Sequence, residues 1–136
     1  MAMSYFITPF LAWLVAGFLK FIINSIRAQK LAFALIGYGG LPSNHSAIVS
    51  SMASLIALKE GVDHPAFGVA LTLAFIVILD ANSLRRQIGL HAVVINKLII
   101  QHDQHNPLRE RVGHTLTEIA VGVLVGFCVA FVVFLQ

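Results

Sequence analysis

Apolar runs of near membrane-spanning length dominate this chain, and each one stops at a small cluster of His, Arg, Lys, Asp or Glu. A charged side chain at the centre of a bilayer costs about 3 kcal/mol even on lenient scales, so such clusters point to function. Pro42-Ser43-Asn44-His45-Ser46 opens the apolar run from Ala47 to Leu58. His114 opens the last run, with Glu118 one helical turn further on. Helix starts carry free N–H groups and the positive end of the helix dipole. Histidines at two such starts point to anion chemistry.

Of the 136 residues, 58% are hydrophobic and only 11% are charged, against about 25% charged in a soluble domain. The expectation is an all-α integral membrane bundle, a single domain over residues 1–136. The length allows roughly four or five spans of about 20 residues. The net charge of +3 is spread over loops and helix ends, which suits a bilayer surface better than nucleic acid. Cys128 is the one cysteine, so no intrachain disulfide forms. The first apolar run lacks a basic n-region and a small-residue cleavage site, and is read as a retained span.

Four spans emerge along the chain. The first runs from Tyr5 to Ile26, the second from about Ser43 to Glu60, the third from Ala66 to Leu79 and the last from His114 to Leu135. Leu31 to Tyr38 is apolar but too short to cross, and it ends at a Gly39-Gly40 hinge. Ser43 is a suitable N-cap. Ser83 to His102 mixes Arg85, Arg86, His91, Asn96 and Lys97 with apolar residues, and reads as an interfacial or partly embedded helix. A full crossing there would put His45 and His114 on opposite faces. With four spans the cations gather on one face and Lys59 alone on the other, so the positive-inside rule makes the polar face cytoplasmic. Gly122 and Gly126 form a small-xxx-small face, a candidate for joining a second copy of the chain.

Several side chains could carry chemistry, each with a plainer alternative. Lys20 and Arg27 lie seven apart, on one helix face, where they could clamp a phosphate; as a lone pair they equally suit snorkelling to head groups. His45, behind Ser43 and Asn44, could protonate a leaving oxygen. His114 and Glu118 are four apart and can touch. The carboxylate would fix the imidazole tautomer and free the other nitrogen for attack; a metal pair or a structural hydrogen bond are the alternatives. Asp80, Arg85 and Arg86 could hold the oxygens of a phosphoryl group, or sit on lipid phosphates. His102, Asp103 and His105 resemble a small metal loop, although loop histidines are more often solvated.

Together these elements resemble the type-2 phosphatidic acid phosphatase superfamily, which includes the vanadium haloperoxidases. Its motifs are K-x6-R-P, P-S-G-H and S-R-x5-H-x3-D. Lys20 to Arg27 keeps the first spacing, with Ala28 for Pro. Pro42-Ser43-Asn44-His45 matches the second, with Asn for Gly. His114 to Glu118 keeps the end of the third, with Glu for Asp, while the motif arginine falls at Leu108. The chain is similar throughout to the small, divergent membrane branch of that superfamily.

The resemblance implies metal-independent phosphoryl transfer without a cofactor. His114 would be the nucleophile, Glu118 its support and His45 the acid. Lys20, Arg27, Ser43, Asn44, Asp80 and one of Arg85 and Arg86 would hold the phosphate. The expected substrate is a membrane lipid phosphate in the plasma (inner) membrane. Phosphatidylglycerophosphate ranks first, with polyprenyl diphosphate and phosphatidic acid next. Two other readings stay open: lipid-phosphate binding or transport without hydrolysis, and a small membrane scaffold.

Overall fold

A computed structural model describes residues 3–29, 31, 40–99 and 106–136. They form five helices and no strand: α1 Ser4–Ala28, α2 Asn44–Glu60, α3 Pro65–Asn82, α4 Leu84–Ile99 and α5 Leu116–Phe134. The short apolar run up to Tyr38, with Gly39, lies outside the described residues.

Local chemistry sets the helix ends. The side chain of Ser43 caps α2 by accepting from the Ser46 amide, and α2 stops at Gly61, whose φ of 92° suits a residue without a side chain. His64 caps α3 through Nδ1, with Pro65 at the first helical position. Thr115 and Glu118 form a reciprocal capping box on α5.

Helix α2 is the hub, packed on α1, α3 and α5. Many of its contacts are small residues, beside a fully buried Leu55 and a buried Ile56. Ala12 and Ala16 of α1, Ala70 and Ala74 of α3, and Ser46, Ala47, Ser50, Ser51 and Ala53 of α2 are all buried. The large apolar side chains point outward: Phe6, Phe10, Trp13 and Phe18 on α1, Phe75 and Ile76 on α3, and Leu124, Phe127 and Phe131 on α5 are exposed. That inversion belongs to a lipid environment, where close van der Waals packing of small residues holds helices together. Three helical stretches, Ser4–Ala28, Pro65–Ile99 and Leu116–Phe134, are long and apolar enough to cross a membrane. The 17 residues of α2 reach about 25 Å. At the far end of the bundle Lys59 donates to Ser4 Oγ at 2.7 Å, and the Tyr5 hydroxyl donates to Glu60.

The α2–α5 contact is the tightest. A Cβ on Gly126 would sit 2.1 Å from Ser50 Oγ and 2.4 Å from the Ala47 carbonyl; one on Gly122 would sit 2.5 Å from the Ser43 carbonyl. The small-xxx-small face is therefore filled by α2 of the same chain. This corrects the expectation that it joins a second copy. Gly122→Ala should destabilise the bundle by about 1–3 kcal/mol through overpacking. Gly68→Ala is the control, because nothing lies within 4 Å of that site. Unfolding titrations in detergent should separate the two variants clearly.

Helix α4 branches off at the end of α3. The amide of His114, at the start of α5, donates to the carbonyl of Ala81, near the end of α3, at 3.0 Å. The chain thus leaves and rejoins the bundle at one end, as an interfacial helix requires. Exposed Leu84, Ile88, Ile95 and Leu98 form an apolar stripe along α4. Residues 106–115 return as an irregular strap along its other flank.

Candidate active site

The site forms where the starts of α2, α4 and α5 meet. Ser43 ties two of them together, its amide donating to the Glu118 carbonyl at 2.9 Å. Its hydroxyl accepts from the Ser46 amide and the Ser46 hydroxyl, and the side chains of Ser43 and Ser46 are fully buried. The Ser43 amide and the acceptor side of its hydroxyl are thus engaged within the fold. The helix-end amides left to face an anion are those of Asn44 and His45.

His114 Nδ1 lies 3.0 Å from Glu118 Oε2, with only 7% of the histidine and 8% of the glutamate side chain exposed. A carboxylate at that nitrogen favours the tautomer with its proton on Nδ1, leaving Nε2 with a free lone pair. Glu118 is fully engaged, because Oε2 also accepts from the Thr115 amide at 3.1 Å and Oε1 from Arg111 at 3.2 Å.

The His45 ring centroid lies 6.1 Å from that of His114. His45 Nε2 contacts Arg85 Nη1 at 3.3 Å, and Arg85 Nε donates to Asp80 Oδ2 at 2.8 Å. Asp80, at the end of α3, thereby aims Arg85 at His45. Arg86 is exposed instead, with its backbone packed under Gly113. Of the two sequence candidates for the missing motif arginine, Arg85 is the one the fold brings to the histidines.

Helix α1 supplies the remaining cation. Gly17 faces the Asn44 amide group and Asn24 faces Gly40. Lys20 lies between these two on the same helix face, over the turn that starts α2. It interacts electrostatically with Glu118, Arg109 and His45. Asn44 keeps its Oδ1 buried without a hydrogen-bond partner. Arg27 is exposed in the last turn of α1, and no described contact brings it to the cluster. Among the described residues no three His, Cys, Asp or Glu side chains come together as metal ligands; His102, Asp103 and His105 lie outside those residues.

Two participants have weak signals in the sequence. Arg111 reaches Glu118 from the irregular segment before α5, where helical spacing does not apply. Asn24 lines the site four residues from Lys20 on one face, and that spacing is the only sign of it.

A nearly buried His–carboxylate pair thus lies beside a second histidine and an arginine at one end of the bundle. The family model described as the Divergent PAP2 family matches residues 1–129, and the chain belongs to that family. It is similar to a Bacillus subtilis (strain 168) protein named "Uncharacterized membrane protein YuiD", 33% identical over 138 residues, covering 89% of this chain and 87% of that one. No solved structure matches the chain.

Proposed function

We propose that the protein is a lipid phosphate phosphatase working through a phosphohistidine intermediate. The observation that carries this reading is the nearly buried His114–Glu118 pair, 6.1 Å by ring centroids from a His45 that Arg85 holds. In the first step His114 Nε2 attacks phosphorus as the bond to the leaving oxygen breaks, and protonated His45 gives that oxygen its proton. In the second, water attacks the phosphohistidine. His45 takes the water proton, the P–N bond breaks and phosphate leaves. Lys20, Arg85 and the amides of Asn44 and His45 stabilise the charge that develops.

Membrane-embedded helices and a site at one end of the bundle support a substrate that is itself in the bilayer, with its phosphate at the surface. The excess of Lys and Arg at the site end supports a cytoplasmic orientation in the plasma membrane. Phosphatidylglycerophosphate is the first candidate, then polyprenyl diphosphate and phosphatidic acid. A second reading, lipid-phosphate binding without turnover, is favoured by one contact: Arg85 occupies His45 Nε2, the nitrogen that must carry the acid's proton.

A phosphate-release panel over these lipids, with purified protein in detergent, decides between the readings. Turnover should survive EDTA and be blocked by vanadate, which mimics the pentacoordinate transition state and binds more tightly than substrate. Binding of a lipid phosphate without release of phosphate would establish the second reading. Loss of activity in EDTA, restored by a divalent ion, would overturn the metal-free mechanism.

A further inference from the structure

We propose that Asn96, at the far end of α4, is a positioning residue for His114, acting through the strap and Arg111. The inference rests on the hydrolytic reading above. Asn96 clasps the strap with three hydrogen bonds. It donates to the Leu108 carbonyl at 2.8 Å and to Glu110 Oε1 at 2.9 Å, and its own side-chain carbonyl accepts from the Leu108 amide at 2.8 Å. The first and third imitate a two-point strand pairing, which fixes register along the strap as well as proximity.

The strap then runs back along one face of α4. The Glu110 carbonyl sits so close to Gly89 that a Cβ there would lie 2.2 Å from it, and Gly113 packs on the backbone of Arg86 at 3.1–3.2 Å from an added Cβ. Residues 86, 89 and 96 share that face. From 86 to 96 the helix rises about 15 Å, and the six residues 108–113 can extend over about the same distance. The strap is thus held to α4 at three points, Asn96, Gly89 and Arg86, and loss of the Asn96 clasp frees the end that leads to Arg111.

The strap residues that follow support the nucleophile. Three residues after the clasp, Arg111 meets Glu118, whose other oxygen holds His114 Nδ1. Two residues after Arg111 the chain reaches Gly113, then His114, whose amide is pinned to Ala81. Asn96 touches none of the reacting groups, so it acts only by setting where the strap delivers Arg111. Leu108, which stands at the position of the missing motif arginine, is instead the residue the clasp holds. In this chain that position serves as an anchor.

The test uses the full chain in detergent with Asn96→Ala, Arg111→Gln and the double variant, and Asn96→Ser as a milder change. Two readouts are taken: kinetics on the lipid phosphate that wild type hydrolyses, and NMR of the 15N-labelled His114 ring. Asn96→Ala should lower kcat about tenfold with KM within about twofold, the signature of a group acting in the transition state and not in ground-state binding. Arg111→Gln should do the same, and the double variant should be no slower than Arg111→Gln alone, because residues acting through one another are not additive. Both single variants should shift the His114 ring signals alike. Multiplying losses in the double variant, or His114 signals unmoved in Asn96→Ala and Asn96→Ser, would overturn the proposal. The ring signals read it even if wild type releases no phosphate, in which case the hydrolytic reading alone fails.

Discussion

His114→Ala should abolish phosphate release while the bundle stays folded. The side chain is nearly buried, but its backbone amide, not its ring, ties α5 to α3, and alanine keeps that amide. The ring contributes the nucleophile and one hydrogen bond to Glu118. Without the nucleophile the two-step route does not exist. Activity should therefore fall by about four orders of magnitude or more, as in enzymes that lose a nucleophile. Glu118 would be left with Arg111 and the Thr115 amide as partners, so no buried charge is stranded. Activity near the wild-type level in a folded His114→Ala protein would rule the phosphohistidine out.

Arg85→Ala and Arg86→Ala should differ by a wide margin although the residues are neighbours. Arg85 is part-buried, fastened to Asp80 and directed at His45; Arg86 is exposed and contributes only backbone to the packing of the strap. Removing a fixed donor aimed at transition-state charge costs about 3–4 kcal/mol, or roughly 10²–10³ in kcat. Removing an exposed surface cation changes stability by about 0.5 kcal/mol or less and leaves the chemistry in place. Kinetics of the two variants side by side, with folding checked by size exclusion, measure the difference. Equal effects would show that Arg85 is not the phosphoryl ligand, and would turn attention to Arg109 and Arg111.

Much of the architecture was legible because membrane physics leaves few choices. Apolar runs of the right length must be helices, and the mixed run around Arg85 and Asn96 read as an interfacial or partly embedded helix. The four-residue spacing of His114 and Glu118 suggested contact, but on a helix that was expected to start at His114. Helix α5 starts at Leu116, and the two meet because the Thr115–Glu118 capping box turns the carboxylate back past the helix start. The choice between Arg85 and Arg86 was not legible, since adjacent residues on a helix differ only in direction, and direction is set by what Asp80 can hold. The strap was invisible: its pairing with α4 depends on Gly89 and Gly113 permitting backbone contact, and an isolated glycine gives no sign of what approaches it. The Gly122/Gly126 face was legible as a packing device but not as to partner, because the same spacing serves helices within a chain and between chains.

The capping box at the head of α5 also explains why glutamate stands where the wider superfamily motif has aspartate. From the third helical position Glu118 curls back to the Thr115 amide and, with the same oxygen, holds His114. A carboxylate one methylene shorter would have to give up either the helix start or the imidazole. The helix cap and the proposed support of His114 therefore meet at a single atom. A lineage that abandoned the chemistry would still be held to glutamate by the helix, and so the residue's persistence among relatives would be poor evidence that they remain enzymes.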